Sequence, residues 1–281
     1  MILSDFLPGP ALREFVQCYR IAHFVFDKMV HGVYKLYPPR PEQCLHFIIR
    51  GNESVRFANG TSCVGLPIAI LGQQTSVIKR IPENEFLIFQ IAFQPGALFK
   101  LTGIPASMFT NQYLDARSIF PPNIRFLHEQ LQESASYSEM INIINTFLAE
   151  LVIHTRKDFH LLDFVGKQML QVPQQFSLDK MAKESCLCTK QFKRKFNERV
   201  GVNPKTFARL ARFIKTYNFK NKFPKRDWSK IAVGFDYCDY QHLVKDYKEF
   251  SGMKPNELHL EETRSPESVL GLSKSVYNIR S

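Results

Sequence analysis

Cys186 and Cys188 stand one residue apart in the segment CLCTKQFKRKF, ahead of a run of cations and phenylalanines. Thiolates bind zinc, but structural zinc sites usually space paired cysteines by two to four residues and add two further ligands. The nearest further ligands, Cys238 and His242, belong to a later segment. We therefore predict no metal site here. A redox role stays open, because Lys190 adds positive charge beside the thiols, and such charge favours the reactive thiolate.

Three histidines, His23, His31 and His46, lie in the strand-rich first half and raise the alternative of a cupin-like metalloenzyme with an accessory basic domain. The sequence has no H-x-H pair followed by a distant carboxylate and histidine, and no G-x-S-x-G, P-loop or H-E-x-x-H motif. We predict no catalytic residues and no cofactor, and hence a protein that is not an enzyme. Stoichiometric iron, zinc or manganese in the purified protein would favour the alternative.

The length and composition fit a chain of two ordinary domains. It has 281 residues, of which 44% are apolar, enough for substantial cores. No apolar run approaches the roughly 18 residues that a membrane span needs. The first residues, MILSDFLPGPALREF, lack the basic and apolar regions of an export signal. We therefore expect a cytoplasmic protein whose six cysteines stay reduced.

The positive charge is concentrated in the second half of the chain. Residues 1–160 hold 14 basic and 13 acidic side chains, whereas residues 161–281 hold 23 basic and 13 acidic ones. The first half is thus close to neutral, and the second half carries nearly all of the net charge of +11. This asymmetry indicates a polyanionic partner for the C-terminal half.

The first half alternates short apolar runs with turn segments. The runs VQCYRIAHFVF, CLHFIIRG, VGLPIAILG and FLIFQIAF are separated by PPRP, GNES, ANGTS and IPENE. This spacing predicts an antiparallel β-barrel or sandwich.

Residues 122–155 change to helical periodicity. Two helices are predicted, broken at SASYS, with Ser138 as the cap of the second. Their apolar stripe could pack against a second subunit. It consists of Ile124, Leu127, Leu131, Met140, Ile144, Phe147, Leu148 and Leu151.

A helix, a tight turn and a second helix are predicted between residues 177 and 200, which we call the first unit. Ser177 is suited to cap the first helix, ESCLC forms the turn, and Gly201 ends the second helix. Phe192 and Phe196 lie four residues apart and share the inner face of that second helix. The opposite face carries the cations Lys190, Lys193 and Arg194.

The pattern repeats after a long predicted helix at 203–223. In this second unit, Asp227 is suited to cap WSKIAV and Asp239 to cap YQHLVKDYKEF. Aligning Cys188 with Asp239 superposes the two units, so that Gly201 matches Gly252, each with a proline three residues later. Two such units joined by a long helix are far more specific than either alone.

Residues 158–260 resemble the DNA-binding domain of AraC/XylS-type transcription regulators. The motifs that carry the resemblance are the A…F.R.F..RVGVNPK stretch (182–205), RLARFIKTY (209–217), WSKIA (228–232) and YCDYQHLVKDYKEFSGMKP (237–255). Part of the first half, YPPRPEQCLHFI and FQPGALFKLTGIP, resembles the effector-type domain of one branch of the family.

The resemblance implies a sequence-specific transcription regulator that reads two adjacent major grooves of promoter DNA, about 34 Å apart. Small-molecule control through the first domain, a homodimer and contact with RNA polymerase are compatible with it. Whether the protein activates or represses stays open. An RNA ligand is disfavoured because the deep major groove of RNA excludes a helix.

Carried over by position, the residues facing base edges are Lys190, Lys193 and Arg194 in the first unit and Tyr240, Gln241 and Lys245 in the second. Arg and Lys suit guanine, and Gln suits adenine. Arg199 and Lys205 are expected to bind phosphates.

The predicted fold is α+β with two domains. A cupin-like β-barrel or sandwich with two C-terminal helices occupies residues 1–155, and a junction follows at 154–158. An all-α domain of two helix–turn–helix units joined by a long linker helix occupies 158–260. Residues 261–281 are expected to form a flexible tail.

The sequence departs from the family pattern mainly in the turns. Glycine is usual where Cys186 and Asp236 stand, at positions that need a positive φ or a close helix approach. Cys188 replaces a Ser-type cap and is a weaker acceptor. Leu243 and Tyr247 stand where phenylalanine is common. These changes preserve apolar bulk better than turn chemistry, and could make the units less rigid.

Overall fold

The computed structural model describes residues 1–26, 33–155, 160–173 and 177–272. His31 and residues 156–158 of the predicted junction lie outside these ranges. Within them, the chain forms a β-rich N-terminal region followed by a helical C-terminal region, as predicted.

The N-terminal region contains two antiparallel sheets. The larger has the strand order β1-β2-β9-β4-β7-β10, and the smaller has the order β3-β8-β5-β6. The four apolar runs predicted as strands contain β2 and β7 and match β4 and β9 to within one residue at their starts. The strands are β1 (Ile2–Phe6), β2 (Val16–Val25), β3 (Lys35–Tyr37), β4 (Gln43–Arg50), β5 (Glu53–Phe57), β6 (Ser62–Val64), β7 (Ile68–Leu71), β8 (Ile78–Pro82), β9 (Glu85–Phe93) and β10 (Tyr113–Asp115).

Alternation along the strands of the large sheet separates two faces. Leu45, Phe47 and Phe89 belong to the main apolar core on one face. The neighbouring His46 and Gln90 are also buried and, by alternation, lie on the opposite face.

Three helices complete the N-terminal region: α1 (Ala97–Thr102), α2 (Ile124–Glu133) and α3 (Tyr137–Ile153). The two helices predicted after residue 122 are therefore confirmed. The cap of α3 is Ser136 rather than Ser138, since the Ser136 hydroxyl accepts the backbone N–H of Glu139 at 3.2 Å. The sequence Ser-x-x-Glu at 136–139 has the capping-box pattern, but its glutamate accepts the backbone N–H of Ala135, one residue before the cap.

The apolar stripe of α2 and α3 packs inside the chain. Leu131 and Ile144 are fully buried in the same core as Phe47 and Phe89 of the large sheet. We had expected that this stripe could pack against a second subunit, but it packs against the sheet of its own N-terminal domain.

The C-terminal helices lie where the repeat predicts them. The first unit has its core around Phe192 and Phe196, and the second around Leu243 and Tyr247. The helices are α4 (Leu161–Gln171), α5 (Leu178–Glu184), α6 (Thr189–Val200), α7 (Pro204–Lys222), α8 (Trp228–Gly234), α9 (Tyr240–Ser251), α10 (Pro255–Glu262) and α11 (Pro266–Val269).

Residues 261–272 differ from the expected flexible tail. The α10–α11 segment docks on the N-terminal domain, where the buried Lys35 of β3 forms salt bridges with Glu262, at 3.2 Å, and with the fully buried Glu267. Leu270 and Leu272 pack on an apolar cluster of the sheets. The Ser-rich composition suggested a tail because these few anchoring residues show no periodicity. Residues 273–281 lie outside the described part of the chain.

Candidate nucleic-acid interface

The first unit holds its second helix, α6, through aromatic packing. Phe192 and Phe196 are fully buried, with their ring centroids 5.7 Å apart, and Phe207 of α7 packs edge-on at 5.6 Å from Phe196. Three inward rings fix the helix on α7, so that its opposite face is held toward solvent.

That solvent face carries the three predicted cations. Lys190, Lys193 and Arg194 are all exposed. None of them forms a salt bridge with any described residue. Their charge is therefore available to an external anion.

The second unit has the same construction. Leu243, Tyr247 and Phe250 of α9 are buried, while Gln241 and Lys245 are exposed. At 100° per residue, Gln241 and Lys245 lie roughly 40° apart on the face opposite this core.

Tyr240, the third residue expected to read bases, is only half-exposed. It packs against the core of the second unit, so only part of its side chain is available. The exposed face of α9 is accordingly carried mainly by Gln241 and Lys245.

Both turns place a non-glycine residue in the left-handed region, at the positions where the family usually has glycine. Cys186 has φ 55° and Asp236 has φ 56°. In each turn the following amide closes the helix end: Leu187 donates to the Ala182 carbonyl at 3.0 Å, and Tyr237 donates to the Ala232 carbonyl at 3.0 Å. The predicted need for a positive φ is confirmed, and these two residues meet it.

The caps of the two second helices differ as the sequence suggests. The Asp239 carboxylate accepts the backbone N–H of His242 at 2.7 Å, whereas Cys188 makes no side-chain cap hydrogen bond. The first turn of α6 therefore has a backbone N–H group that no cap side chain accepts, whereas the corresponding N–H group of α9 is bound by Asp239.

An ion-pair cluster that sequence reasoning missed joins the linker helix α7 to α9. Asp246 of α9 is buried and accepts from the Arg209 guanidinium at 2.7 and 3.0 Å. It also accepts from Arg212 at 3.5 Å and from the Tyr237 hydroxyl at 3.1 Å. Arg209 further donates to Glu249 at 2.5 and 2.8 Å. The sequence signal for this cluster was an aspartate, Asp246, on the apolar side of α9, together with the two arginines Arg209 and Arg212 on α7.

Arg199, expected to bind a phosphate, lies in the interior. Its guanidinium donates twice to Asp163 of α4, at 2.7 and 2.6 Å, and stacks over Phe99 at 5.0 Å. At 100° per residue it lies on the same side of α6 as Phe192 and Phe196, which faces the interior. The expectation does not fit this geometry. Lys205, the other expected phosphate contact, is exposed.

The segment FQPGALFKLTGIP forms the surface on which the first unit docks. Gly96 (φ 83°) passes so close to Asp163 that an added Cβ would lie 2.2 Å from its carboxylate oxygen. Further along, the Thr110 hydroxyl donates to the Gly201 carbonyl at 2.5 Å. This motif therefore serves contact between the two domains.

The histidines of the sheets have ordinary partners. His23 lies 2.7 Å from the Tyr137 hydroxyl, and His46 lies 3.4 Å from the Tyr113 hydroxyl. Burial lowers the pKa of both imidazoles, that of His46 well below its usual range. Among the described residues, no group of three or more potential ligands could hold a metal ion. Cys186, Cys188 and Cys238 are exposed free thiols.

None of the helices in the described ranges combines the length and the apolar character that crossing a membrane requires.

Comparison with known proteins gives a family match for the first domain. Residues 4–115 match a domain of unknown function, DUF6597, and this segment is less than half of the chain. No curated protein matches the chain.

Several solved structures of ToxT from Vibrio cholerae are similar to the chain at low identity. The apo form of a ToxT variant has a TM-score of 0.48 and 11% identity, covering 86% of this chain and 97% of that chain. ToxT bound to (E)-4-(8-methylnaphthalen-1-yl)but-3-enoic acid has a TM-score of 0.49 and 11% identity, covering 86% and 98%. ToxT bound to an unsaturated fatty acid has a TM-score of 0.45 and 12% identity, covering 86% and 95%. Likenesses of this size carry no functional argument, so the function rests on the residues described above.

Proposed function

We propose that the protein is a sequence-specific DNA-binding transcription regulator of AraC/XylS type. The observation that carries the proposal is the repeat itself. Two helix pairs, each with a left-handed turn residue, present a polar second helix whose inner face is locked by buried rings. A helix held this way can enter a major groove without rearranging.

The base-reading residues in this proposal are those that solvent can reach. Lys190, Lys193 and Arg194 act from α6, and Gln241 and Lys245 act from α9. Tyr240 contributes through its exposed part. A bidentate contact from Arg194 to guanine is worth about 1–3 kcal/mol of discrimination.

Phosphate contacts are assigned to exposed cations rather than to Arg199. Lys205 stands at the start of α7, beside the groove that runs between α7 and α9. Such contacts position the protein on the duplex without reading sequence.

The N-terminal domain takes the regulatory role. A cavity of about 40 Å³ between the two sheets is lined by Arg20, Tyr37, Arg40 and Gln90, among others. This volume is close to that of a single water molecule, so a small-molecule effector has to displace lining side chains in order to bind there. Measuring the melting temperature of the full chain with and without candidate ligands tests whether an effector binds. A homodimer and contact with RNA polymerase complete the proposal.

Selection of bound sequences from random duplexes, followed by a salt-dependent gel shift, tests the central claim. We expect the selected site to bind at least about 10³-fold more tightly than random DNA at physiological salt. Equal affinity for both would contradict sequence reading.

Two perturbations sharpen that test. Inserting about 5 bp between the two half-sites rotates one groove to the far side of the duplex, and should abolish the selectivity. Arg194→Ala should lose discrimination at one base position, while Arg56→Ala, an exposed arginine of β5, should leave binding unchanged. A uniform loss across all sequences would make Arg194 a phosphate contact instead.

A further inference from the structure

A groove of about 510 Å³ runs between the linker helix α7 and the second reading helix α9. Cations dominate its lining, with Lys205, Arg209 and Arg212 from α7 and Lys245 from α9. The acidic residues that line it are Asp246 and Glu249, and His242 and two apolar residues complete the wall. The groove is therefore net positive, although it contains two carboxylates.

The groove adjoins the exposed face of α9. Lys245 belongs both to this face and to the lining of the groove. At 100° per residue around α9, Glu249 lies roughly 40° and His242 roughly 60° from Lys245, on the side toward Asp246 and α7. If Gln241 and Lys245 face base edges, the phosphates that border that major groove pass over this flank.

Arg209 divides its donors between the two carboxylates. Nε and Nη2 donate to Asp246 at 3.0 and 2.7 Å, while Nη1 and Nη2 form a fork on Glu249 at 2.8 and 2.5 Å. The hydrogen bond to Glu249 raises the pKa of Arg209, and the same bond lowers the pKa of Glu249, so both groups stay charged. A fork of this geometry fits a phosphate as well as a carboxylate.

The two carboxylates differ sharply in exposure. The side chain of Asp246 is 1% exposed, whereas that of Glu249 is 48% exposed. Asp246 is held by Arg209, Arg212 and Tyr237, so it stays in place. Glu249 can rotate into solvent because about half of its side chain is already exposed, and the fork that it leaves on Arg209 is the interaction that an incoming phosphate replaces.

We propose that this groove binds a backbone phosphate of duplex DNA, and that Glu249 occupies the phosphate position on Arg209 until DNA arrives. Glu249 swings out, the Arg209 fork receives the phosphate, and Asp246 keeps the guanidinium aligned. Lys205 and Lys245, which form no salt bridge with a described residue, add positive charge from the two walls. The inference rests on the proposed function, because it assumes that α9 lies on DNA.

The first test compares two isosteric charge changes with a duplex of random sequence. Glu249→Gln removes the competing carboxylate and should tighten binding by about three- to tenfold. Glu129→Gln, on the exposed side of α2, changes the net charge equally and should shift affinity less than twofold. Equal effects of the two variants would overturn the proposal.

A double-mutant cycle then distinguishes the exchange of Glu249 for a phosphate on Arg209 from a general effect of net charge on DNA affinity. Arg209→Lys keeps the charge and the contact with Asp246 but loses the fork. In that background the gain from Glu249→Gln should disappear, whereas an undiminished gain would overturn the proposal. Fluorescence of Trp228, which is buried in the second unit and is the only tryptophan of the chain, verifies that each variant is folded. If the wild type binds no DNA, the proposed function itself fails; if it binds and the cycle shows no coupling, only this inference fails.

Discussion

The first unit should become more stable when its turn and cap receive the residues that their geometry favours. Cys186 adopts φ 55°, and a left-handed conformation costs an L-residue about 1–2 kcal/mol. Glycine avoids that cost but loses about 0.5–1 kcal/mol through its greater freedom in the unfolded chain. Cys186→Gly should therefore stabilise the unit by about 0.5–1 kcal/mol, since the thiol is exposed and forms no hydrogen bond with a described residue.

The cap contributes separately. Cys188 makes no side-chain hydrogen bond at the start of α6, and a serine there is worth about 1 kcal/mol. The double variant Cys186→Gly/Cys188→Ser should gain about 1.5–2 kcal/mol. At 1.4 kcal/mol for each factor of ten, amides that exchange by opening of this unit should be protected about 10- to 30-fold better.

Hydrogen exchange of the full chain, measured by mass spectrometry, reports the protection of amides in each unit separately. Peptides covering α5 and α6 report the gain, and peptides covering α8 and α9 serve as the internal reference. Cys238→Ser is the matched control, because Cys238 is exposed, caps no helix and is absent from the left-handed residues. Unchanged protection of α6 in the double variant, or an equal gain in the control, would refute the reasoning.

Three further predictions follow from the domain contacts and the buried charges. Lys35→Met leaves two buried glutamates without their cation and should destabilise the protein by about 3–5 kcal/mol in chemical denaturation. Gly96→Ala adds a Cβ that would lie 2.2 Å from Asp163, and should open the domain contact, as judged by faster hydrogen exchange in α4. Gly60→Ala, at a similar φ of 85° but with nothing within 4 Å, isolates the backbone strain and should leave α4 unchanged. Burial keeps His46 neutral in the folded state, while the unfolded chain takes up a proton below about pH 6.5. The free energy of unfolding should therefore fall as the pH drops below that value, by up to about 1.4 kcal/mol per pH unit for this group, and His46→Gln should reduce the slope.

The strands and helices with a long buried face were predictable because their apolar residues recur in the sequence with the period of that face. The long strands β4 and β9 are almost entirely buried, and they appear as continuous apolar runs. β5 was missed because alternate residues of ESVRF face solvent, which leaves too few apolar positions in so short a strand. The helices of both units were found because an apolar stripe at helical spacing agreed with a cap residue or a terminal glycine at each of them.

The side-chain roles were less predictable because exposure depends on contacts between the domains. Arg199 carries the same charge as Arg194 and lies in the same helix, yet it is buried against α4 and α1. The helical period does distinguish the two arginines, because at 100° per residue Arg199 lies on the same side of α6 as Phe192 and Phe196, whereas Arg194 lies on the opposite side. The partners of Arg199 could not be predicted, since Asp163 and Phe99 are distant from it in sequence.

The docking also changes what the N-terminal domain does in the proposed function. The first unit rests on the Gly96 segment through the Asp163–Arg199 pair, and the second is tied to β3 through Lys35 and Glu262. Glu262 in turn accepts the Tyr217 hydroxyl of the linker helix.

Both units are thus anchored to the N-terminal domain, the first at the start of α1 and the second at β3, as well as to each other. The distance between α6 and α9 is then set by the linker helix and by the N-terminal domain together. Lys35 is two residues from Tyr37, which lines the cavity between the sheets and whose ring lies 5.5 Å from the Lys35 ammonium. A ligand that displaces Tyr37 would therefore act on the anchor of the second unit before it could act on the first. Such an effector should change the affinity for DNA carrying both half-sites more than the affinity for the first half-site alone.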